Sequence, residues 1–395
     1  MAETDIIISG AGIAGLIAAA LLAGRGHRVT VLDPTPPPET AEAEGSDLRS
    51  TAYLEPSRAL LEEAGLWAPL VPHATPLRGL RVIDTTGWPP ERTDKRLFLP
   101  SDLGLEAFGW NVPNWRARKV LTEALADLGG VDLRMGTGFA AMLARSSGVR
   151  VTLSDGARLD AALIVGADGR NSPVRQAAGI GVDVRRYGQT ALAFAVTHGR
   201  PHGNISTEIY NSGGAFTIVP LGDEDGRPAS AIVWMNDGRR AKELLAMDRR
   251  AFETQMVARA TAILGRMEVA SPIREWPIVT QTAQRLTARR TAIVAEAAHV
   301  LPPIGAQGLN TSIADIAALT RCIDAGDPGA DRGLDAYAAA RGRDIRLRAG
   351  AIDLFNRICQ SGAAPVQGLR RLGLRGVHDL MPLRLAVMRA GMGRG

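Results

Sequence analysis

The stretch Asp5-Ile-Ile-Ile-Ser-Gly-Ala-Gly-Ile-Ala-Gly15 decides the fold class. Its apolar run predicts a buried parallel strand, and Gly10, Gly12 and Gly15 predict a tight turn into an Ala- and Leu-rich helix. A second strand, Arg28-Val-Thr-Val-Leu-Asp33, follows. This order is typical of a dinucleotide-binding fold, in which the helix N-terminus faces a pyrophosphate and Asp33 binds a ribose hydroxyl.

The composition is that of a globular protein, since 46% of the residues are hydrophobic and 22% are charged. The length of 395 residues suits about two domains. Residues 6–24 contain only Ser9 as a polar side chain and are long enough to cross a bilayer. Acidic residues precede the run and three glycines interrupt it, so a buried strand, turn and helix fit better. Cys322 and Cys359 lie far apart and predict neither a disulfide framework nor a metal site.

A second informative stretch is an apolar strand that ends at Gly166-Ala-Asp-Gly169. Asp168 would then lie at the carboxyl edge of the parallel sheet, where such sheets bind ligands. The alternative is that Asp168 only caps a turn.

The third stretch is Ala295-Glu-Ala-Ala-His-Val-Leu-Pro-Pro-Ile-Gly-Ala-Gln-Gly-Leu-Asn310. Its two prolines stiffen the chain, while Gly305 and Gly308 leave room for a close approach. The periodic apolar residues of 313–319 predict a helix whose free N–H groups face an electron-rich ligand. An ordinary loop before an ordinary helix is the alternative.

Short strands separated by Gly, Asn and Pro turns between about Gly188 and Asp237 predict an antiparallel sheet. We therefore expect an α/β protein with a discontinuous Rossmann-like nucleotide domain, an inserted β-sheet substrate domain that covers the ligand, and a C-terminal helical segment. The expected boundaries are 1–77, 101–182 and 286–330 for the nucleotide domain, 78–100 and 183–285 for the sheet, and 331–395 for the helices. Weak candidates for the substrate pocket are Phe216, Val219, Pro220 and Trp234, because alternate residues of a strand could equally be core.

Together these motifs resemble those of the FAD-dependent aromatic hydroxylases with the p-hydroxybenzoate hydroxylase fold. More narrowly, the chain is similar to the UbiH/UbiF-type hydroxylases of ubiquinone biosynthesis. The resemblance includes Ser172 and Arg175 after the Asp-Gly pair, Asp47-x-Arg49, and Phe108-Gly-Trp-Asn-Val-Pro113, and it runs nearly end to end. Three motifs in this order are specific to the fold and much less specific to the substrate.

The resemblance implies that the glycine turn holds the FAD pyrophosphate, Asp33 the adenosine ribose, and Arg49 the pyrophosphate or ribityl region. Pro303 and Gly305 would lie at the reactive end of the flavin. The other implied contacts to FAD come from Asp168, Gly169, Glu296, Gln307, Gly308, Leu309 and Asn310.

The chain departs from the family pattern at two positions. Glu296 stands where the family has aspartate, which puts the ribityl contact in doubt, and Ala306 replaces a glycine of some relatives. Which of Arg116, Arg118 and Lys119 approaches the flavin stays open. His299 is interpreted as structural rather than as an acid or base.

The implied reaction uses NAD(P)H to reduce FAD and O₂ to hydroxylate an electron-rich phenol, with a polyprenylphenol of ubiquinone synthesis as the leading substrate. Because there is a single dinucleotide fingerprint, NAD(P)H would bind transiently at the flavin and would have no binding domain of its own. No metal is expected. Alternatives are a hydroxylase of another small aromatic compound, a flavin reductase or dehydrogenase without oxygen insertion, and a flavin-free subunit of a quinone-biosynthesis assembly.

The formal net charge of +5 is concentrated in the C-terminal tail, where six arginines and Asp379 are interleaved with leucines and methionines. These arginines are residues 370, 371, 375, 384, 389 and 394. The tail could lie on an anionic membrane surface, or it could pack on its own domain with the arginines reaching solvent. No aromatic residue interrupts the arginines, which argues against nucleic acid. We expect a cytoplasmic protein. If the tail does lie on a membrane, the protein would be peripheral on the inner face of the cytoplasmic membrane.

Overall fold

The computed structural model of the chain describes residues 4–393, so Arg394 of the tail lies outside the described residues. The strands, in chain order, are β1 (Ile6–Ser9), β2 (Val29–Asp33), β3 (Ser50–Leu54), β4 (Thr75–Pro76), β5 (Gly79–Thr86), β6 (Glu91–Phe98), β7 (Gly109–Pro113), β8 (Val131–Met135), β9 (Phe139–Ala144), β10 (Val149–Leu153), β11 (Arg158–Ala161), β12 (Leu163–Gly166), β13 (Val182–His198), β14 (Ile205–Asn211), β15 (Gly214–Pro220), β16 (Ala229–Asp237), β17 (Met267–Val269), β18 (Arg274–Ala283), β19 (Thr287–Ala288), β20 (Thr291–Ile293) and β21 (His299–Val300).

The helices are α1 (Ile13–Ala23), α2 (Glu55–Glu63), α3 (Trp67–Leu70), α4 (Asn114–Ala126), α5 (Pro173–Ala177), α6 (Gly238–Leu245), α7 (Arg249–Arg259), α8 (Gln307–Cys322), α9 (Asp331–Gln360), α10 (Ala364–Asp379) and α11 (Met381–Gly391). Short 3₁₀ turns cover Val71–His73, Pro100–Leu103 and Ala295–Ala297.

The nucleotide sheet has the order β19-β20-β12-β1-β2-β8, and its strands are parallel except for β19. Ile6, Ile7 and Ile8 of β1 are fully buried, because helices cover both faces of a parallel sheet. Helix α1 packs on this sheet between α4 and α8. The predicted Rossmann-like start of an α/β fold is therefore confirmed.

Two of the three glycines are required by the packing of the turn itself. Gly10 has φ +107°, and a Cβ there would lie 2.4 Å from the carbonyl oxygen of Ala167. A Cβ at Gly15 would lie 1.9 Å from the carbonyl oxygen of Gly10. By contrast, a Cβ at Gly12 would meet no protein atom within 4 Å, which means that Gly12 borders open space.

The second large sheet follows the order β21-β18-β13-β16-β15-β14-β5-β6, with β17 beside β13. All its pairings are antiparallel except β14 with β5. One face packs against α6 and α7 through a cluster that includes Phe194, Phe216, Trp234 and Phe252. The other face is turned towards the nucleotide domain and the C-terminal helices. Two small three-stranded sheets, β11-β10-β9 and β3-β7-β4, complete the nucleotide side.

The C-terminal helices pack across β5 and β6, and three tail arginines pair with acids there. Arg375 Nε lies 2.6 Å from Asp94 Oδ2, and Arg384 pairs with Asp102. The third pair, Arg370 with Asp84, is almost fully buried, with Nε and Oδ1 2.5 Å apart. The interpretation of the tail as a segment packed on its own domain thus holds for these arginines. Within residues 4–393, no helix has both the length and the hydropathy needed to cross a bilayer.

Candidate functional site

A large cavity of about 1420 Å³ lies between the carboxyl edge of the parallel sheet, the open face of the large sheet and the C-terminal helices. The predicted positions in its wall are Gly10, Gly12, Asp33, Arg49, Asp168, Gly169, Val219, Glu296, Pro303, Gly305, Gln307, Gly308 and Leu309. Three motifs that are distant in sequence therefore meet at one space.

At one end of the cavity, Asp33 organises the glycine turn. Its Oδ2 accepts a hydrogen bond of 2.8 Å from the backbone N–H of Ala11, and its Oδ1 accepts from the N–H and hydroxyl of Thr35. Arg118 lies 3.2 Å from the same Oδ1 and donates to the carbonyl of Ala11. Asp33 thus fixes the turn, and Oδ2 retains a lone pair for a ligand hydroxyl.

Of the three basic candidates on α4, Arg118 is the one in the cavity wall. Arg116 stacks on Trp115, with its guanidinium carbon 4.1 Å from the ring centroid. Lys119 forms ion pairs with Glu39 and Glu123. Arg118 approaches the glycine turn and Asp33, at the nucleotide end of the cavity.

Asp168 follows β12, and its Oδ2 accepts hydrogen bonds from Ser9 Oγ and from the backbone N–H of Val174. Its Oδ1 is buried and has no hydrogen-bond partner among the described residues. Burial raises the pKa of this carboxyl, although the hydrogen bonds oppose the rise. A buried acceptor without a donor is costly, and this oxygen is enclosed by protein rather than open to the cavity.

The predicted Arg49 lies in the middle of the cavity wall and is held from two sides. It makes a bidentate ion pair with Asp47, and its guanidinium carbon lies 4.4 Å from the centroid of the Trp276 ring. Burial lowers the pKa of Arg49, but the charges of Asp47 and Glu296 outweigh burial and raise it. Glu296 is exposed to the cavity within reach of that charge. A fixed cation and a carboxylate thus face the region assigned to the ribityl chain and pyrophosphate.

The loop before α8 turns sharply towards the cavity, since Gly305 has φ 63° and Ala306 has φ 55°. Pro303, Gly305 and Gly308 are exposed there, and a Cβ at Gly308 would meet nothing within 4 Å. The first N–H groups of α8 have no intrahelical acceptor, so they offer positive charge to a ligand.

Two residues of this region that were predicted to contact FAD, Gln307 and Asn310, have side chains that hydrogen-bond to other groups of the protein. The Asn310 amide donates to the carbonyls of Ala52 and Ala306 and accepts from the N–H of Leu54, and Asn310 is outside the cavity wall. The Gln307 amide donates to the carbonyls of Gly305 and Gly391. The side chains hold the loop against β3 and α11, because a Gly-rich loop needs such anchors to keep one shape.

His299 belongs to a buried network with acids and bases of two helices. Its Nε2 lies 2.6 Å from Asp315 Oδ2, and Arg341 Nε lies 2.7 Å from Asp315 Oδ1. The network connects the 295–300 segment to α8 and α9, which supports the interpretation of His299 as structural. Its Nδ1 is buried without a hydrogen-bond partner among residues 4–393.

Of the weak substrate candidates, the structure contradicts Phe216 and Trp234. They pair across β15 and β16 and lie on the opposite face of the sheet, in the core beneath α6 and α7. Pro220 is also outside the cavity wall, and its carbonyl accepts a hydrogen bond from Asn111. Side chains alternate along a strand, so the face that lines the cavity is carried by the residues next to Phe216 and Trp234. Val219 is therefore in the wall, with Thr217 and Val233 beside it.

The sequence reasoning missed a group of polar residues in the cavity wall between the large sheet and α10. These are Asp84, Glu208, Tyr210 and Arg370. Glu208 and Tyr210 share a face with Ser206 by strand alternation, which is a signal that could have been used. The pairing of Arg370 with Asp84 joins residues 286 positions apart and has no local signal.

These features fit FAD. Space beside Gly12 suits a pyrophosphate, Asp33 has acceptor capacity left, and the start of α8 favours negative charge. None of the residues predicted to contact FAD fills the cavity.

The comparisons with known proteins agree with this geometry. Residues 3–346 match the family described as "FAD binding domain". The ubiquinone hydroxylase UbiL of Rhodospirillum rubrum is 33% identical over 396 residues, which cover 98% of this chain and 89% of that protein. The 3-demethoxyubiquinol 3-hydroxylase of Escherichia coli is 26% identical over 99% of this chain and 98% of that protein.

Among solved structures, p-nitrophenol 4-monooxygenase PnpA of Pseudomonas putida superposes with a TM-score of 0.80 at 17% identity, covering 99% of this chain and 98% of that one. PqsL of Pseudomonas aeruginosa, in complex with 2-aminobenzoylacetate, gives a TM-score of 0.76 at 22% identity, covering 93% and 99%. At these identities the likeness shows a shared fold.

Proposed function

The chain belongs to the FAD binding domain family, and from that premise we propose that it hydroxylates the ring of a polyprenylated phenol in ubiquinone biosynthesis. The resemblance to FAD-dependent aromatic hydroxylases is confirmed, and the protein is an FAD-dependent monooxygenase with NAD(P)H as the electron donor typical of the class. The substrate is the part that the proposal adds.

FAD held here would supply the redox chemistry, namely hydride uptake from NAD(P)H and activation of O₂ for transfer of one oxygen atom to the ring. The protein has three tasks around it. The turn at Gly10 and Gly12 and the neighbouring Arg118 and Asp33 hold the nucleotide end. Arg49 and Glu296 orient the middle of the cofactor. The N–H groups at the start of α8 favour negative charge on the reduced ring without placing a side chain in the oxygen pocket.

The observation that carries the substrate proposal is the continuity of the cavity. Beyond the loop at Gly305, the same space is lined by apolar side chains of β5, β6, α10 and α11. They are Leu80, Val82, Phe98, Leu374, Val377 and Met388. This lining suits a prenyl chain, while the ring would lie beside the flavin.

The test is profiling of quinone intermediates in cells that lack the gene. We expect one under-hydroxylated prenylphenol to accumulate, and wild-type protein, but not a Gly12→Val variant, to restore the quinone. Purified enzyme supplied with ¹⁸O₂ should place one labelled oxygen in the product. Normal quinone without precursor accumulation would reject the substrate class, and NAD(P)H-dependent reduction without label would indicate a reductase.

We further propose that the C-terminal helices contact an anionic lipid surface. Their exposed apolar side chains, here called the C-terminal apolar surface, are Leu372, Leu380, Met381 and Leu383, with exposed fractions of 63%, 60%, 52% and 42%. Arg371 and Arg389 have no ion pair within residues 4–393. Leu369 and Val387, also exposed, line the cavity, so the apolar surface adjoins the space assigned to the prenyl chain. This arrangement supports substrate entry from the lipid.

A further inference from the structure

Three acids of the cavity wall, Asp168, Glu208 and Glu296, form no ion pair among the described residues, and Glu208 is the most buried of them. Asp84 is neutralised by Arg370, and the described residues form no ion pair to Glu208. Glu208 is 8% exposed, and an isolated buried carboxylate is expensive for the folded state. The sheet face around it carries small or apolar side chains, including Ala191, Ala193 and Val233. Glu208 is therefore a buried carboxyl without a counter-charge, on a sheet face that is otherwise mostly small or apolar.

Two donors lie beside Glu208. The hydroxyl of Tyr210, two residues along β14 and on the same face, donates to Glu208 Oε2. The backbone N–H of Gly305 lies close enough to this carboxyl to lower its pKa. Gly305 belongs to the loop that faces the flavin, so Glu208 lies where the substrate face of the sheet meets the reactive end of the cofactor site.

We propose that Glu208, oriented by Tyr210, is the catalytic residue that binds the phenol hydroxyl of the substrate and accepts its proton. This inference rests on the proposed function and deepens it. The O–H bond of the phenol breaks, the proton passes to a Glu208 oxygen, and the electron pair stays on the phenol oxygen. The ring becomes more electron-rich at its ortho and para carbons, which favours attack on the activated oxygen. The hydroxylated carbon then loses its hydrogen as a proton to water, and Glu208 returns its own proton to the product.

The surroundings suit a base. Burial raises the pKa of the Glu208 carboxyl, while the Tyr210 hydroxyl and the Gly305 N–H oppose the rise. The other titratable groups nearby are Cys359 of α9, Arg370 of α10 and Asp84 of β5. Burial raises the pKa of Tyr210 well above its usual value, and Glu208 and Cys359 add to the rise, so the tyrosine stays a donor.

The first test is binding without turnover. Oxidised FAD-loaded protein is titrated with 2-allylphenol and with its methyl ether, 2-allylanisole, and dissociation constants are read from the flavin absorbance. Wild type should prefer the phenol by about 10-fold or more, which is the range for a hydrogen bond to a charged group. Glu208→Gln should lose most of this preference, because an amide cannot take the proton. The surface variant Glu106→Gln, at a side chain 85% exposed, should behave as wild type.

The second test is the pH dependence of kcat/KM for 2-allylphenol. In wild type, kcat/KM should rise with pH through the raised pKa of Glu208, because the base must be ionised. Tyr210→Phe should move the rise to higher pH, because a hydrogen bond that stabilises the carboxylate is removed. Glu208→Gln should show no such rise.

Flavin content and melting temperature identify variants that do not fold. If Glu208→Gln does not fold, the pH shift of kcat/KM in Tyr210→Phe is the test of the proposed role of Glu208. Hydroxylation by wild type together with an unchanged phenol preference and pH profile in the variants would overturn this inference and leave the proposed function intact. Wild type that hydroxylates no prenylphenol would instead overturn the proposed function.

Discussion

Gly12 has a different reason for being glycine from its two neighbours in the motif. Substitution of Gly10 or Gly15 would damage the turn itself, since the added Cβ would overlap backbone atoms. At Gly12 the added atoms would enter the cavity and meet only the ligand. A change at Gly12 therefore separates cofactor binding from folding.

We predict that Gly12→Val folds but binds FAD more than about tenfold more weakly, because its side chain occupies the pyrophosphate space. Flavin absorbance of the purified protein and its melting temperature without FAD measure the two effects. Gly129→Ala, in open space far from the motif, is the control. Wild-type flavin content in Gly12→Val would move the pyrophosphate elsewhere.

Glu296 allows a second prediction at this scale. Its side chain is exposed to the cavity and is not locked by another residue, so the extra methylene has room. Glu296→Asp should bind FAD within about threefold of wild type, whereas Glu296→Ala should lose about tenfold, the effect of one hydrogen bond to a charged group. Fluorescence titration of the apoprotein with FAD gives both constants. Equal affinities for all three proteins would exclude Glu296 from the site.

At the scale of elements, α10 is fastened to the large sheet by a buried ion pair. Arg370 and Asp84 are 4% and 1% exposed, and Arg370 also donates to the carbonyl of Thr85. Removing one member leaves the other charge buried without compensation. Arg370→Met should therefore reduce the free energy of unfolding by about 3–5 kcal/mol, and adding Asp84→Asn should restore part of it. Chemical denaturation measures both values, with Arg371→Met as the surface control. A loss below about 1 kcal/mol would mean that water reaches the pair.

The same helices carry the surface assigned to lipid. The double variant Leu372→Glu/Leu383→Glu should bind anionic vesicles less tightly, since it adds two negative charges and removes apolar contact. It should hydroxylate 2-allylphenol as wild type does, because neither leucine lines the cavity. Leu143→Glu, at a leucine 53% exposed on β9, is the control. Unchanged vesicle sedimentation of the double variant would reject the lipid surface and leave a protein partner of quinone biosynthesis as the alternative occupant.

Deleting the chain from Leu369 onward would be a poorer test of membrane contact than these point substitutions. Such a deletion also removes Arg370, Leu374, Val377 and Met388 from the cavity wall. Loss of turnover would follow from the damaged cavity even if lipid contact played no part.

At the scale of the whole molecule, one cofactor joins segments from most of the chain. Because folded protein binds FAD and unfolded chain does not, free FAD at 100 times its dissociation constant should stabilise the protein by about 2.7 kcal/mol. The melting temperature should rise with FAD concentration and stay constant with riboflavin, which lacks the pyrophosphate. A colourless protein with no response to FAD would support a flavin-free role.

The nucleotide half of the molecule was predictable because its signals are local. Gly10 is required by its positive φ and Gly15 by the carbonyl of Gly10 in the same turn, and Asp33 ends the strand beside them. The substrate half of the molecule was not predictable, because neither face of β15 carries a charged residue that would mark the open side. Whether Phe216 or Thr217 faces the cavity depends on where α6 and α7 pack, which no short window of sequence reveals.

The hydrogen bond from Gln307 to Gly391 has a consequence for biosynthesis of the protein. A ribosome releases the chain from its amino end, and domains fold as they emerge. The parallel sheet is complete in sequence once β20 has emerged, whereas the wall of the substrate chamber needs α11, which is synthesised later. A nascent or prematurely terminated chain could thus acquire its cofactor before it has a closed chamber. Premature termination near the carboxyl end would then yield a coloured protein that spends NAD(P)H on O₂ without making product.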